Sequence, residues 1–179
     1  MSVALAEAPV RSSKRELEES VRCCCKKIED IASGSLWIIT AEAAEHDRPV
    51  IYTSAALIDE LLEQRVISDD PASEYSEQTV EEVLEDLAER KIIRNAEMQD
   101  SFSDVLDIYF KIDRCGKCTS VEIFLALGGP SIKVTFTGYV EGKWGCDEVS
   151  CPLSPYAYYK IMEWAKEQYE ICKHTRCLR

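Results

Sequence analysis

The chain has 179 residues, nine of them cysteine, and a formal net charge of −12 at pH 7. This length suffices for one ordinary domain or two small ones with a buried core. No stretch approaches the roughly 20 apolar residues that a bilayer requires, and the opening residues lack a secretory pattern. The composition therefore predicts a soluble cytoplasmic protein. The odd number of cysteines favours reduced thiols over a disulfide framework.

A helix is predicted to begin at Ser13 and to end at Gly34, after a tail over residues 1–12. Ser13 and Glu16 have the spacing of a capping box. Apolar residues then follow at steps of three and four, namely Leu17, Val21, Cys24, Ile28 and Ile31. This periodicity predicts that Cys24 lies in the core and that Cys23 and Cys25 lie on its flanks.

Two more helices are predicted in the first half of the chain. The runs Leu36–Thr40 and Val50–Tyr52 are too short to assign to strand or helix. Ser54 is expected to cap a helix that reaches Arg65, and a second helix is expected from about Glu77 to Ile92. Their predicted buried faces are Leu57, Ile58, Leu61 and Leu62 in the first helix, and Val80, Val83, Leu84 and Leu87 in the second. This helix pair followed by a strand resembles a winged helix.

The second half of the chain changes to the alternating pattern of half-buried strands. Three strands are predicted, over Val105–Ile112, Val121–Leu127 and Ile132–Val140. Gly128, Gly129 and Pro130 supply the turn of a hairpin between the last two. Ser154 and Pro155 predict a helix that ends near Cys172. Its predicted inward residues are Tyr158, Ile161, Met162, Ala165 and Tyr169. The predicted fold class is α+β, with a helical region over 13–98 and an antiparallel β-β-β-α region over 99–179.

An acidic segment is the strongest functional indication. Between Val66 and Glu89 there are nine acids and no Lys or Arg. The predicted partner-binding residues are Glu74, Glu77, Glu81, Glu82, Glu85, Asp86 and Glu89. Four of them are spaced by four residues, which on a helix gives steps of about 6 Å, similar to backbone phosphates. Such a row could occupy a basic groove built for nucleic acid, although an ordinary solvated helix face is the alternative.

Four cysteines form a candidate zinc site. They are Cys115, Cys118, Cys146 and Cys151. A hairpin that turns near Gly129 would place Cys118 opposite about Val140 and bring the chain back past Cys115 just before Cys146. A Cys-x-x-Cys pair is a usual half-site for structural zinc, but free thiols or a redox pair remain open alternatives.

The stretch VEIFLALGGPSIKVTFTGYVEGKWG, Val121–Gly145, followed by the Ser-Pro helix, resembles a hairpin-plus-helix module of small accessory proteins from phages and mobile elements. This resemblance implies an inhibitor of the anti-CRISPR or anti-restriction kind. We therefore expect a binding protein, not an enzyme, whose partner is a basic, nucleic-acid-binding protein. It is not expected to bind nucleic acid or membrane itself. The alternatives are a winged-helix transcription regulator with structural zinc and an assembly subunit whose acidity serves solubility.

Overall fold

The computed structural model describes residues 10–41, 49–67, 78–102, 107–127 and 130–174, which form an α+β structure. The helices of these residues are α1 (Val10–Ala32), α2 (Ser54–Glu63), α3 (Val80–Glu89), α4 (Met98–Phe102) and α5 (Pro155–His174). The strands are β1 (Leu36–Ile39), β2 (Tyr52–Thr53), β3 (Ile93–Asn95), β4 (Asp107–Ile112), β5 (Cys118–Ala126), β6 (Ser131–Val134), β7 (Tyr139–Trp144) and β8 (Asp147–Pro152). All strand pairs are antiparallel.

The chain divides into two compact units. The first, here called the sheet unit, comprises Met1–Glu29 and Asp104–Arg179. The second, here called the small unit, comprises Asp30–Ser103. The predicted regions 13–98 and 99–179 follow the order of the chain, whereas most of α1 belongs with the C-terminal sheet. Sequence periodicity indicates that a helix has an apolar face, but it does not indicate which sheet that face will cover.

The sheet unit is a five-stranded meander in the order β4-β5-β6-β7-β8. Helix α1 crosses β7 at Gly142, where an added Cβ would lie 2.4 Å from Val21 Cγ2 and 2.8 Å from Leu17 Cδ1. Helix α5 covers the other end of the same face, because the rings of Phe110 and Tyr169 have centroids 5.2 Å apart. Both helices therefore pack on one face of the sheet.

The predicted strand over 132–140 is wrong, because the chain reverses in its middle. Strand β6 ends at Val134, and β7 begins at Tyr139 and pairs back onto it. The buried hydroxyl of Thr135 bonds the Thr137 hydroxyl at 2.8 Å and the Tyr139 carbonyl at 3.2 Å. Gly138 takes a φ of 83°, which glycine adopts without the Cβ penalty. The sequence pattern did not indicate this turn, because the residues of the turn continue the alternation of apolar and polar side chains.

Helix α1 begins at Val10, not at the predicted Ser13, but its predicted end at Gly34 is confirmed. Gly34 ends it with a φ of 73°, and the Gly34 N–H donates to the Ile31 carbonyl at 3.1 Å. The buried cysteine, however, is Cys25, with 5% of its surface exposed, and not Cys24, which is half-buried. Steps of three and four from Val21 are both compatible with a helical face, so the sequence could not separate them.

The small unit has a three-stranded sheet in the order β2-β1-β3, and helices α2 and α3 share one core with it. Of the short runs left unassigned by the sequence, Leu36–Thr40 contains β1, whereas Val50–Tyr52 overlaps β2 only at Tyr52. Thr53, not Ser54, caps α2, because its hydroxyl accepts a hydrogen bond from the Ala56 N–H at 3.4 Å. Val80 is 45% exposed and is not part of the buried face of α3.

For helix α5, the predicted cap is correct and the predicted orientation of one tyrosine is not. The cap is confirmed, since the Ser154 hydroxyl accepts from the Ala157 N–H at 3.2 Å. Tyr158 was expected to point inward but is half-buried, and its hydroxyl donates to the Phe136 carbonyl at 2.7 Å. None of the helices in the described ranges is long and apolar enough to cross a membrane.

Candidate functional site

The predicted acidic surface lies on α3, and its N-terminus is fixed by a capping box. The Thr79 hydroxyl accepts from the Glu82 N–H at 3.4 Å, and the Glu82 carboxylate accepts from the Thr79 N–H at 2.8 Å. Three leucine and valine side chains hold the opposite face in the core of the small unit, namely Val83, Leu84 and Leu87. The helix is therefore held at a fixed rotation, and one set of carboxylates faces solvent.

The acids of α3 fall into two groups. Glu82 belongs to the cap, and the hydrogen bonds from the Thr79 backbone N–H and hydroxyl lower its pKa. Asp86 accepts from Arg90 at 3.3 Å in an exposed ion pair. The remaining three, Glu81, Glu85 and Glu89, are exposed, and in the described part of the chain no ion pair or hydrogen bond involves their side chains. Only this second group has carboxylates not yet committed to a protein contact.

The row of four glutamates predicted from the sequence is shorter in the structure. Helix α3 begins at Val80, after the cap at Thr79, so the helical row is Glu81, Glu85 and Glu89. Its members are about 6 Å apart along the axis. Glu74 and Glu77 lie outside the described residues. The acid-only run also ends abruptly, because Arg90 and Lys91 follow directly.

The structure does not bring the four cysteines of the predicted zinc site together. Strand β5 pairs with β4 and β6, so Cys118 lies opposite Ile112, not opposite Val140. Cys115 lies in the β4-β5 turn and Cys146 in the β7-β8 turn, and in a meander these two turns are at opposite ends of the sheet.

Cys151 is also remote from Cys118. It pairs with Val140 on the edge strand β8, three strands from β5, or about 14 Å across the sheet. Burial raises the pKa of the Cys118 thiol, which disfavours the thiolate that zinc requires. Across the described residues no group of three or more His, Cys, Asp or Glu side chains is placed to hold a metal ion. The predicted hairpin register is confirmed where Ile123 pairs with Val134, but it does not extend to Cys118, because β6 ends at Val134 before the turn at Thr135.

A different cysteine pair, not predicted from the sequence, does meet. Cys25 on α1 donates to the Pro152 carbonyl at 3.4 Å, and Cys151 lies 4.0 Å from the same oxygen. Burial, together with the hydrogen bond to Cys151, raises the pKa of Cys25 to about 12. Next to this pair, Glu29 accepts from both the backbone N–H and the hydroxyl of Ser154. These contacts join α1 to the start of α5, so they serve the fold of the sheet unit.

We found no match to this chain among protein-family models, curated proteins or solved structures.

Proposed function

We propose that this protein is a binding protein that presents the row Glu81, Glu85 and Glu89 to a basic groove of a partner protein. The observation that carries the proposal is the exposed, unpaired state of these three carboxylates on a helix whose other glutamate, Glu82, is occupied in the cap. A rigid row of charges loses little side-chain and backbone freedom on binding compared with a disordered acidic tail. Arg and Lys side chains that donate hydrogen bonds to phosphates also donate to carboxylates.

The partner class we propose is a nucleic-acid-binding host defence protein, which this chain would inhibit in the manner of anti-CRISPR or anti-restriction proteins. The support is chemical. A groove that binds nucleic acid is lined by Arg and Lys, and its long-range field attracts a chain of formal net charge −12. The complex is expected to form quickly and to weaken as salt rises.

The test uses two double variants that change the charge of the chain equally. Glu81→Lys with Glu85→Lys alters the row, and Glu16→Lys with Glu19→Lys alters exposed positions on α1. Each pair adds four to the formal net charge. Proteins captured from a host lysate by each immobilised variant are identified by mass spectrometry, and their release by duplex DNA is measured.

We expect the wild type and the α1 variant to capture the same basic, DNA-releasable protein, and the row variant to bind it at least tenfold more weakly. Equal loss in both variants would mean that overall charge, and not the row, determines binding. Glu82→Ala is the structural control, since it removes the acceptor of the Thr79 N–H and should lower the melting temperature without weakening binding.

A second candidate is a winged-helix regulator. It is favoured by one observation, the shared core of α2, α3 and the β2-β1-β3 sheet. A helix that reads the major groove carries residues that donate to bases and phosphates. The exposed residues of α3 are mostly carboxylates, so we rank this function second.

A further inference from the structure

The strands of the sheet unit differ in length, and this difference opens a groove on the face opposite the helices. Strand β5 pairs with β4 from Cys118 to Phe124, but it pairs with β6 only from Ile123 onward. Beside the first half of β5, the place of β6 is taken by the turn that contains Phe136. The resulting cavity measures about 610 Å³ and is lined by Tyr109, Phe110, Lys111, Thr119, Ser120, Glu122 and Phe136.

Two aromatic side chains stand exposed at this groove. Tyr109, from β4, is 58% exposed, and Phe136, from the turn after β6, is 55% exposed. The Tyr109 ring meets Phe124 edge-on, with centroids 5.2 Å apart and planes at 68°, so one ring edge is fixed while most of the ring stays in solvent. Single exposed apolar groups are common on protein surfaces, but these two line the same groove, which is typical of a binding surface.

The turn that carries Phe136 is fixed by hydrogen bonds to its backbone. Its carbonyl accepts from the Tyr158 hydroxyl at 2.7 Å. The Thr135 N–H donates to the Tyr139 carbonyl at 2.8 Å, and the Gly138 carbonyl accepts from Leu153 at 2.9 Å. An aromatic ring is thus held in water by a backbone with little freedom to withdraw it. Such preorganisation lowers the entropy lost when a flat ligand stacks on the ring.

The groove is lined by one cation, Lys111, and one carboxylate, Glu122, and further charges of both signs lie beside it. Three exposed cations lie on β4 and the turn after it, namely Lys111, Arg114 and Lys117. In the part of the sheet unit that the structure describes, none of the three forms an ion pair.

The carboxylates beside these cations are all engaged. Asp113 accepts from the Cys115 and Lys117 N–H groups at 2.8 and 2.9 Å. Glu122 is paired with Lys133 at 3.0 Å. Asp107 accepts from the Ile108 N–H at 3.0 Å and also hydrogen-bonds the Tyr109 hydroxyl. The side chains of Lys111, Arg114 and Lys117 are therefore the charged groups free to contact a ligand, although the carboxylates nearby keep their negative charge.

We propose that this groove binds a short single-stranded segment of nucleic acid, with an unstacked base against Tyr109 and Phe136 and its phosphates near Lys111. Aromatic rings stack on bases of any sequence, and flanking cations follow the backbone. Thr119 and Ser120 also line the groove; the Thr119 hydroxyl already donates to the Lys111 carbonyl at 2.9 Å, and the Ser120 hydroxyl can bond base edges or sugar. A duplex does not fit, because its bases are already stacked. The site is independent of the function proposed for α3.

The test measures fluorescence anisotropy of a labelled thymidine octanucleotide with the whole chain at low and at physiological salt. We expect the wild type to bind the octanucleotide and the double variant Tyr109→Ala with Phe136→Ala to bind it at least tenfold more weakly. Tyr109→Phe should bind as the wild type does, because its ring stacks equally well. Lys111→Ala should make the slope of log affinity against log salt concentration less steep, by the amount expected for the loss of about one phosphate contact.

The matched control is Tyr156→Ala with Tyr159→Ala, since these α5 rings are 57% and 59% exposed and do not line the groove. It should bind as the wild type does, and an unchanged melting temperature in each variant excludes misfolding. The proposal is overturned if the wild type does not bind the octanucleotide at low salt. It is also overturned if the Tyr109 and Phe136 variant binds normally, or if a duplex or an oligoglutamate peptide binds as tightly.

Discussion

Asp100 is the acid whose surroundings most clearly link pH to stability. Both of its oxygens accept from Arg94, at 2.7 and 2.8 Å, and one also accepts from the Glu97 N–H at 2.8 Å. Its side chain is only 8% exposed. Burial alone would raise its pKa, but the hydrogen bonds and the Arg94 charge outweigh burial, so the pKa of Asp100 lies below its ordinary value of 3.8.

A lowered pKa in the folded state means that the carboxylate contributes stability at neutral pH and loses it as pH falls through the lowered value. We expect Asp100→Asn to reduce the free energy of unfolding at neutral pH by about 1–3 kcal/mol, because Arg94 loses its charged partner. The variant should then lose less additional stability below about pH 4 than the wild type. Thermal melts of the wild type, Asp100→Asn and the exposed control Asp59→Asn across this pH range measure both effects. If the melting temperatures of all three proteins changed with pH in parallel, Asp100 would not be the group that links pH to stability.

The cysteines lead to a second prediction for single residues. Because Cys115, Cys118, Cys146 and Cys151 are spread over the sheet, a chelator should leave the melting temperature unchanged. Cys115→Ser with Cys118→Ser should melt at the same temperature with and without chelator. A purified chain with one zinc per molecule that is lost in this variant would restore the site predicted from the sequence.

Single residues also show where sequence reasoning stops. The apolar stripe of α1 was predicted correctly at Leu17, Val21, Ile28 and Ile31 because helical period and burial are local properties. Whether Cys24 or Cys25 joins them depends on the direction from which β8 approaches. That direction is a tertiary property and is not encoded in the spacing.

At the scale of elements, the contact of α1 with β7 depends on the missing side chain of Gly142. We expect Gly142→Ala to destabilise the protein by about 1–3 kcal/mol, since the new Cβ would overlap Val21 and Leu17. Val21→Ala in the same chain should recover part of the loss, because it removes the nearer methyl group. Chemical denaturation of the single and double variants measures this coupling.

The neighbouring exposed Lys143→Ala serves as the control for that series and should be nearly neutral. If Gly142→Ala proved as mild as this control, α1 would have room to move away from β7. The close packing of helix on sheet described here would then be wrong.

The elements themselves were predicted unevenly. Helices α1, α2, α3 and α5 were all expected because each has an apolar period, although of the predicted N-terminal caps only Ser154 was correct. The strands β3 and β8 and the short α4 were not predicted, since a few residues carry too little periodic signal. The groove residue Phe136 was predicted to lie inside a continuous strand, so its exposed position in a turn was not expected. Tyr109, by contrast, alternates with the inward-facing Phe110, so the outward orientation of Tyr109 can be predicted from the alternation.

At the scale of the whole molecule, charge is distributed unequally. The formal net charge is −12, yet the end of the sheet near Lys111 carries unpaired cations and the exposed side of α3 carries unpaired carboxylates. Long-range association follows the net charge, whereas close binding follows the local pattern. A basic protein would therefore be attracted from a distance, and a nucleic acid would bind only if its contacts in the groove outweigh the overall repulsion.

This distribution predicts that the chain does not bind duplex DNA at physiological salt. Affinity for a duplex comes mainly from cations that replace counterions on the phosphates, and the overall charge of −12 opposes that approach. A gel-shift titration with random-sequence duplex DNA should show no complex for the wild type. The row variant and the α1 variant described above each add four to the net charge, so any binding caused by net charge alone should appear equally in both. Submicromolar, salt-dependent binding by the wild type would instead favour the winged-helix regulator, because a local basic surface would then be overcoming the repulsion of the whole molecule.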